Sequence, residues 1–193
     1  MLPENELKVL AAFFPEDGDK TIQELREAAG YSYERVYSSL NLLVNKGIVL
    51  RRKVGRTLVY TIDASNDLAL LAFTYHTISR RTSLMRRYST VGKALGEFLA
   101  KAETDIVVLF GSYAKDEAKE GSDIDVLCIN GRADVERIAL SLRHKFNLRI
   151  TPVLVAKDDF LNMKKENPEF WRDLVQFGVV LKGHEQYYSL VYR

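Results

Sequence analysis

Asp123 and Asp125 stand at the mouth of an apolar run, LFGSYAKDEAKEGSDIDVLCI (Leu109 to Ile129), with only Ile124 between them. Side chains alternate along a strand, so Asp123, Asp125 and Leu127 fall on one face and Ile124, Val126 and Cys128 on the other. An unpaired carboxylate costs far more to bury than a methyl group, and two on one face destabilise each other unless a multivalent cation lies between them. Oxygen-only ligation by carboxylates, without a histidine or cysteine ligand, favours magnesium or manganese over zinc. Just upstream, DIVVLF ends in Gly111 and Ser112. A glycine there lets a ligand approach the backbone, and amides that open a helix point at an anion, with phosphate the expected guest. Together these residues are suited to a metal-chelated triphosphate.

The elements that must position them can be read around them. Ile106 to Phe110 is wholly apolar, the pattern of a short strand buried on both faces, and Gly111-Ser112 reads as a tight turn into a helix. The run after Asp123 is a second strand, and LRITPVLVA a further one. Asp158 and Asp159, in AKDDFLNMKKE, are expected to cap a helix. Asn167 and Pro168 read as a cap and first helical position, followed by a core stripe of Phe170, Trp171, Leu174 and Val175. Cys128, the single cysteine, rules out an internal disulfide or a cysteine-cluster metal site and reads as a small buried hydrophobe.

A strand, Gly-Ser, a helix and Asp-x-Asp on the next strand resemble the minimal nucleotidyltransferase domain of the DNA polymerase beta superfamily. The likeness covers about residues 88 to 183, with GSDIDV close to that family's common SDIDL and VQFGVVLKG similar to its final helix and strand. It implies an enzyme that transfers a nucleotidyl group from a nucleoside triphosphate to a hydroxyl acceptor and releases pyrophosphate. Asp123 and Asp125 would hold one or two Mg2+ (or Mn2+) ions, and Gly111 and Ser112 would seat the outer phosphates. The chain departs from the family twice: Asp116 stands where many members have a second glycine, and LRITPVLVA lacks the expected third carboxylate, with Thr151 in its place.

The N-terminal third reads as three helices and a hairpin. Leu7, Val9, Leu10 and Phe13 mark a helix from residue 4 to about 14, ahead of the turn-prone PEDGD. Thr21 and Glu24 form a capping box for a second helix, ended by Gly30. Ser32 caps a third, running to Gly47, which buries Val36, Leu40, Leu43 and Val44 and shows Tyr33, Arg35, Tyr37, Ser38 and Asn41. IVLRRKVGRTLVYTI then reads as two strands joined at KVGR. This layout, over residues 4 to 63, resembles the winged helix-turn-helix domains of bacterial and archaeal regulators. The resemblance implies double-stranded DNA as partner, with Tyr33, Tyr37, Ser38 and Asn41 at base edges and Arg51, Arg52, Lys53 and Arg56 on phosphates. Glu34 lies beside that face and would repel phosphate.

Between the two, Leu68, Leu70, Leu71 and Phe73 suggest a helix capped by Ser65 or Asn66. The pairs Arg80, Arg81 and Arg86, Arg87 read either as a basic surface toward nucleic acid or triphosphate or as a solvated face, and the apolar excess as a homodimer contact. His76 lacks a ligand set around it. The expected organisation is a winged helix-turn-helix domain at 1–64, a helical linker at 65–87 and, at 88–193, a nucleotidyltransferase-like domain with a short mixed sheet flanked by helices, an α+β to α/β chain.

Composition sets the outer bounds. With 193 residues, 47% hydrophobic and 28% charged, the chain is an ordinary globular protein, neither disordered nor fibrous. A net charge of +2 leaves the question of a nucleic-acid partner to local clustering. No run is long enough to span a bilayer and MLPENELKVL lacks a signal-peptide layout, so a cytoplasmic protein with no membrane partner is expected. The leading expectation is a Mg2+-dependent nucleotidyltransferase carrying a DNA-binding winged helix, its acceptor a nucleic acid or a protein. The alternatives are a DNA-binding regulator whose second domain only senses a nucleotide, favoured by the missing acid, and an antitoxin-like nucleotidyltransferase.

Overall fold

Capping residues set the second and third helices of the N-terminal region, as the computed structural model shows for described residues 2–13, 18–63 and 65–192. Helix α1 (Glu4–Ala11) buries Val9 and Leu10, with Phe13 just beyond its end. Leu7 is only half-buried, and Glu6 lies inside instead, where Ser39 Oγ donates to its carboxylate at 3.2 Å. Most of the turn expected at PEDGD lies outside the described residues. Strand β1 (Lys20–Thr21) leads into α2 (Ile22–Ala29), whose capping box forms as expected: Thr21 Oγ1 accepts from the Glu24 amide, and Glu24 Oε2 accepts from the Thr21 amide at 2.7 Å. Gly30 ends α2 in the left-handed conformation, φ 63°. Ser32 caps α3 (Tyr33–Asn45), which buries Val36, Leu40 and Leu43 completely and leaves Val44 half-buried. The hairpin is β2 (Val49–Val54) and β3 (Thr57–Ile62), turning at Gly55 and Arg56. The short β1 adds a third antiparallel strand beside β3. Two residues are too few to show an alternation, so β1 left no trace in the hydrophobic pattern.

Helix α4 (Asp67–Arg87) starts at Asn66, whose Oδ1 accepts from the Leu68 amide at 2.8 Å. The chain divides into two compact units inside this helix, the first running to His76 and the second from Thr77 to Val191. No helix of the described residues is long and apolar enough to cross a membrane.

Arg80 and Arg81 form neither of the two expected surfaces, the basic one or the solvated face. Arg80 donates to the carbonyls of Phe177 (3.0 Å) and Gly178 (3.3 Å), and Arg81 to that of Leu181 (2.9 Å). Both guanidinium groups are thereby used to satisfy backbone acceptors within the second unit.

The rest of that unit is α5 (Ser89–Lys101), β4 (Ile106–Phe110), α6 (Gly111–Ala114), β5 (Ile124–Ile129), α7 (Val135–Phe146), β6 (Ile150–Val155), α8 (Lys157–Glu166), α9 (Pro168–Phe177), β7 (Val179–Lys182) and α10 (His184–Tyr192). The strands order as β6-β5-β4-β7, with β5 and β6 parallel and the other pairs antiparallel, so the sheet is mixed. Helix α7 supplies the crossover that a parallel pair requires.

One sheet face, carrying Val107, Leu109, Ile124, Val126 and Cys128, packs in a core with Leu95 and Phe98 of α5 and Leu142 of α7. On the other face Ile106, Val108 and Leu127 are buried as well, so the central strands are apolar on both sides. Burial pushes the Cys128 thiol up to about 12, which suits a core residue and not a nucleophile. Asn167 caps α9 through Oδ1, which accepts from the Phe170 amide at 3.2 Å, and Trp171 and Leu174 are buried as expected. Asp158 and Asp159 are not caps. The cap position of α8 is Ala156, and the two acids lie in the first turn, where the helix dipole favours negative charge.

Candidate functional site

The pairing of β5 decides what surrounds the acidic pair. Asp125 lies in register between Phe110 of β4 and Thr151 of β6, and Asp123 immediately precedes the strand. Both acids are partly exposed, whereas Leu127, further along the same face, is fully buried. Phe110 meets Phe170 of α9 edge-on, ring centroids 5.4 Å apart. Gly111 takes a left-handed backbone, φ +70°, and a Cβ built on it would stand 2.5 Å from Asp125 Oδ2. Only glycine permits that approach of backbone to carboxylate. Ser112 follows in the single turn of α6, which is closed by Lys115 N to Gly111 O (3.1 Å) and Glu117 N to Ser112 O (2.9 Å). The fold thus brings the Gly-Ser turn against the Asp-x-Asp strand.

Burial raises the Asp125 carboxyl above the ordinary aspartate range, the charge of Asp123 raises it further, and Arg149 opposes both. Arg149 Nη1 lies 3.4 Å from Asp123 Oδ2, and its carbonyl accepts from the Ile124 amide at 2.8 Å. Arg149 was not among the residues singled out by sequence. Its signal is its place, the basic residue directly before the strand that runs parallel to β5, and that signal appears only once the strand order is known. Thr151 occupies the strand on which a third carboxylate was sought, directly beside Asp125, with its Oγ1 buried and without a hydrogen-bond partner.

Among the described residues no three histidine, cysteine, aspartate or glutamate side chains gather as a metal cluster. Two hard oxygen donors nevertheless suit a magnesium or manganese ion that completes its shell with phosphate oxygens and water.

Asp116 lies two residues beyond α6. It stands where a glycine is common and adopts a glycine-like backbone, φ 65°, which a short polar side chain tolerates. Its charge is answered locally: Tyr88 donates its hydroxyl to Oδ1 at 2.8 Å and Arg87 pairs with Oδ2. The Tyr88 ring in turn packs edge-on against Tyr113 of α6, 5.1 Å between centroids. Lys115 pairs with Asp173 of α9 at 2.8 Å. The loop beyond Gly111 is therefore tied to the α4–α5 junction and to α9.

In the first unit, Tyr33 and Tyr37 are exposed on α3 and nearly parallel, with ring centroids 6.0 Å apart. Ser38 is exposed and Asn41 half-buried. Strand alternation separates the basic residues of the wing. Arg51 lies opposite Tyr60, on the same strand face as Lys53, while Arg52 falls on the other face, paired with Asp19 through Nε to Oδ1 at 3.1 Å and through Nη2 to Oδ2. Arg56 sits in the exposed turn. Burial raises the Tyr60 phenol, Arg51 acts against it, and the nearby Tyr33 and Tyr37 raise it further, so these four side chains share one neighbourhood. Lys8 and Arg35, the first unremarked and the second noted only as exposed in the sequence, lie over the Tyr31 ring at 4.5 and 4.9 Å.

Comparison with known proteins agrees with this division. Residues 91–180 match the nucleotidyltransferase domain family, and residues 2–65 match the family described as sugar-specific transcriptional regulator TrmB. A Methanocaldococcus jannaschii protein named "Putative protein adenylyltransferase MJ1305" is 34% identical over 89 residues, covering 38% of this chain and 60% of that relative's length. No solved structure matches the chain significantly. The chain joins a TrmB-type winged helix-turn-helix domain to a nucleotidyltransferase domain.

Proposed function

We propose that the second unit transfers a nucleotidyl group from a nucleoside triphosphate to a hydroxyl of an acceptor, and that the first unit binds double-stranded DNA. The close approach of the Gly111 backbone to the Asp125 carboxylate supports the first half of this reading, because it sets the Gly-Ser turn beside the Asp-x-Asp strand. Gly111 and Ser112 offer the opening amides of α6, which have no partner inside the helix, to the outer phosphates. Asp123 and Asp125 would hold Mg2+ or Mn2+. Such an ion, when bound, neutralises the triphosphate and aligns attacking and leaving oxygens. Arg149 offsets part of the charge of Asp123, and Phe110 shields one side of Asp125. The acceptor oxygen forms a bond to the α-phosphorus, the bond from that phosphorus to the bridging oxygen breaks, the acceptor proton passes to solvent, and pyrophosphate leaves.

The relative named as a protein adenylyltransferase supports an adenylyl donor and a protein acceptor. The test is incubation of the full chain with α-labelled ATP, Mg2+ and separate protein, RNA and DNA acceptors. Label on the protein acceptor that disappears in Asp123→Asn with Asp125→Asn supports the proposal, and no transfer to any acceptor sinks it. Saturable ATP binding without transfer would favour the second reading, a DNA-binding regulator that senses the nucleotide. Thr151, in place of an acid, is the observation on its side.

On the DNA side, Tyr33, Tyr37, Ser38 and Asn41 meet base edges while Arg51, Lys53 and Arg56 meet phosphates, with Arg52 bracing the wing against Asp19. Leu68, Leu71 and Tyr75, exposed at helical spacing on α4, would supply the apolar surface of a homodimer contact.

A further inference from the structure

Resting on the nucleotidyl-transfer reading, we infer that the site holds one divalent cation per bound nucleotide, not two, and that Thr151 and Arg149 set this number. The side chains that flank the acidic pair are fixed by the β5–β6 register. Thr151 sits directly beside Asp125, and Arg149, two residues earlier, reaches Asp123 at 3.4 Å. Asp123, Asp125 and Arg149 together supply a net charge of one negative, and Thr151 adds a neutral hydroxyl.

Two dications at the short separation of a paired metal site repel each other with about four times the energy of two unit charges. Ionised donors between and around them must offset that repulsion. Here Asp123 already answers a guanidinium, and Asp125 has a hydroxyl for its neighbour. No further histidine, cysteine or acid joins them among the described residues. One dication can instead share the two carboxylates with phosphate oxygens, which need no third protein ligand.

The Thr151 Oγ1 atom is buried and makes no hydrogen bond within the chain. It is therefore an unused donor and acceptor at the side of Asp125.

The experiment is equilibrium dialysis of the full chain against Mn2+ with saturating adenosine 5′-(α,β-methylene)triphosphate, counting ions retained per bound nucleotide. One ion is expected for the wild type, two for Thr151→Asp, and one for Thr151→Asn, which has nearly the aspartate shape without its charge. Two ions in the wild type overturn the inference whatever the variants do. Two in Thr151→Asn, or one in a Thr151→Asp protein that melts cooperatively, overturn the role given to charge at position 151. Retention of neither ion nor nucleotide would instead overturn the underlying nucleotidyl-transfer reading, so the two failures are distinguishable.

Discussion

Arg149 lies 3.4 Å from the Asp123 carboxylate, so a cation from the head of β6 already faces the acids of β5 before any ligand arrives. Both partners are substantially exposed, and pairs of that kind contribute at most about 1 kcal/mol. Arg149→Ala should therefore cost no more than about 1 kcal/mol in urea unfolding with divalent ions chelated. Added Mg2+ and nucleotide should recover that loss. A larger loss that Mg2+ leaves untouched would place Arg149 in the scaffold.

Asp125 gives a pH dependence with a definite sign. Its carboxyl lies above the usual range, through burial first and Asp123 second, so the folded chain keeps this proton to higher pH than the unfolded chain does. The stability this contributes is complete below the unfolded aspartate value of about 3.9 and is lost as pH rises through the higher folded value. Asp125→Asn is neutral throughout. Its stability relative to wild type should climb across that window in chelator, as urea midpoints at pH 3.5 and pH 7 would show, and a flat or falling difference would contradict the assignment.

Gly111→Ala tests the turn itself. A Cβ at φ +70° costs of order 1 kcal/mol by backbone strain, and the new methyl group must also displace the Asp125 carboxylate. A loss of about 1–3 kcal/mol in stability is expected. Nucleotide affinity should fall by roughly tenfold or more, the equivalent of about 1.4 kcal/mol, in calorimetric titration. Wild-type affinity in this variant would remove the Gly-Ser turn from the site.

The wing should behave asymmetrically. Each phosphate contact contributes roughly 0.9 to the slope of log affinity against log salt. Arg51→Ala and Lys53→Ala should each lower that slope by about this amount on duplex DNA. Arg52→Ala should leave it nearly unchanged, since Asp19 engages its guanidinium. Equal slope changes at all three positions would show that the Asp19 pair opens on DNA.

Arg80 is expected to answer to stability and not to DNA. Two backbone carbonyls accept from its guanidinium, and losing such charge-assisted bonds costs about 1.5–3 kcal/mol. Arg80→Ala should lower the unfolding free energy by at least that much while duplex affinity changes less than about twofold. The reverse pattern would restore the basic surface that its sequence position suggests.

These cases show which parts of the structure were legible beforehand. Thr21 with Glu24, Ser32, and Asn167 with Pro168 cap helices through bonds to residues three positions away, so a local sequence carries the whole instruction. Gly111, Ser112, Asp123 and Asp125 were legible for a related reason, since a turn glycine and strand alternation are local rules. Arg149 with Asp123, Arg52 with Asp19 and Arg87 with Asp116 were not, because each joins segments far apart in the chain. Which strand lies beside which is settled by packing of whole faces, and no short window contains it. Arg80 misled for the same reason: its charge is plain in the sequence, but the carbonyls it serves belong to α9 and the residue after it.

Pro152 lies in β6, the outermost strand on its side of the sheet, in register with Val126. Proline brings no N–H, so an extended segment laid along that margin meets a missing rung and the bulk of a ring. Neighbouring copies are thereby denied a template for growing into a continuous ribbon there, although Val153 next to it is exposed and apolar. Replacing this one imino acid would open that border, and its first symptom would be loss of solubility on concentration.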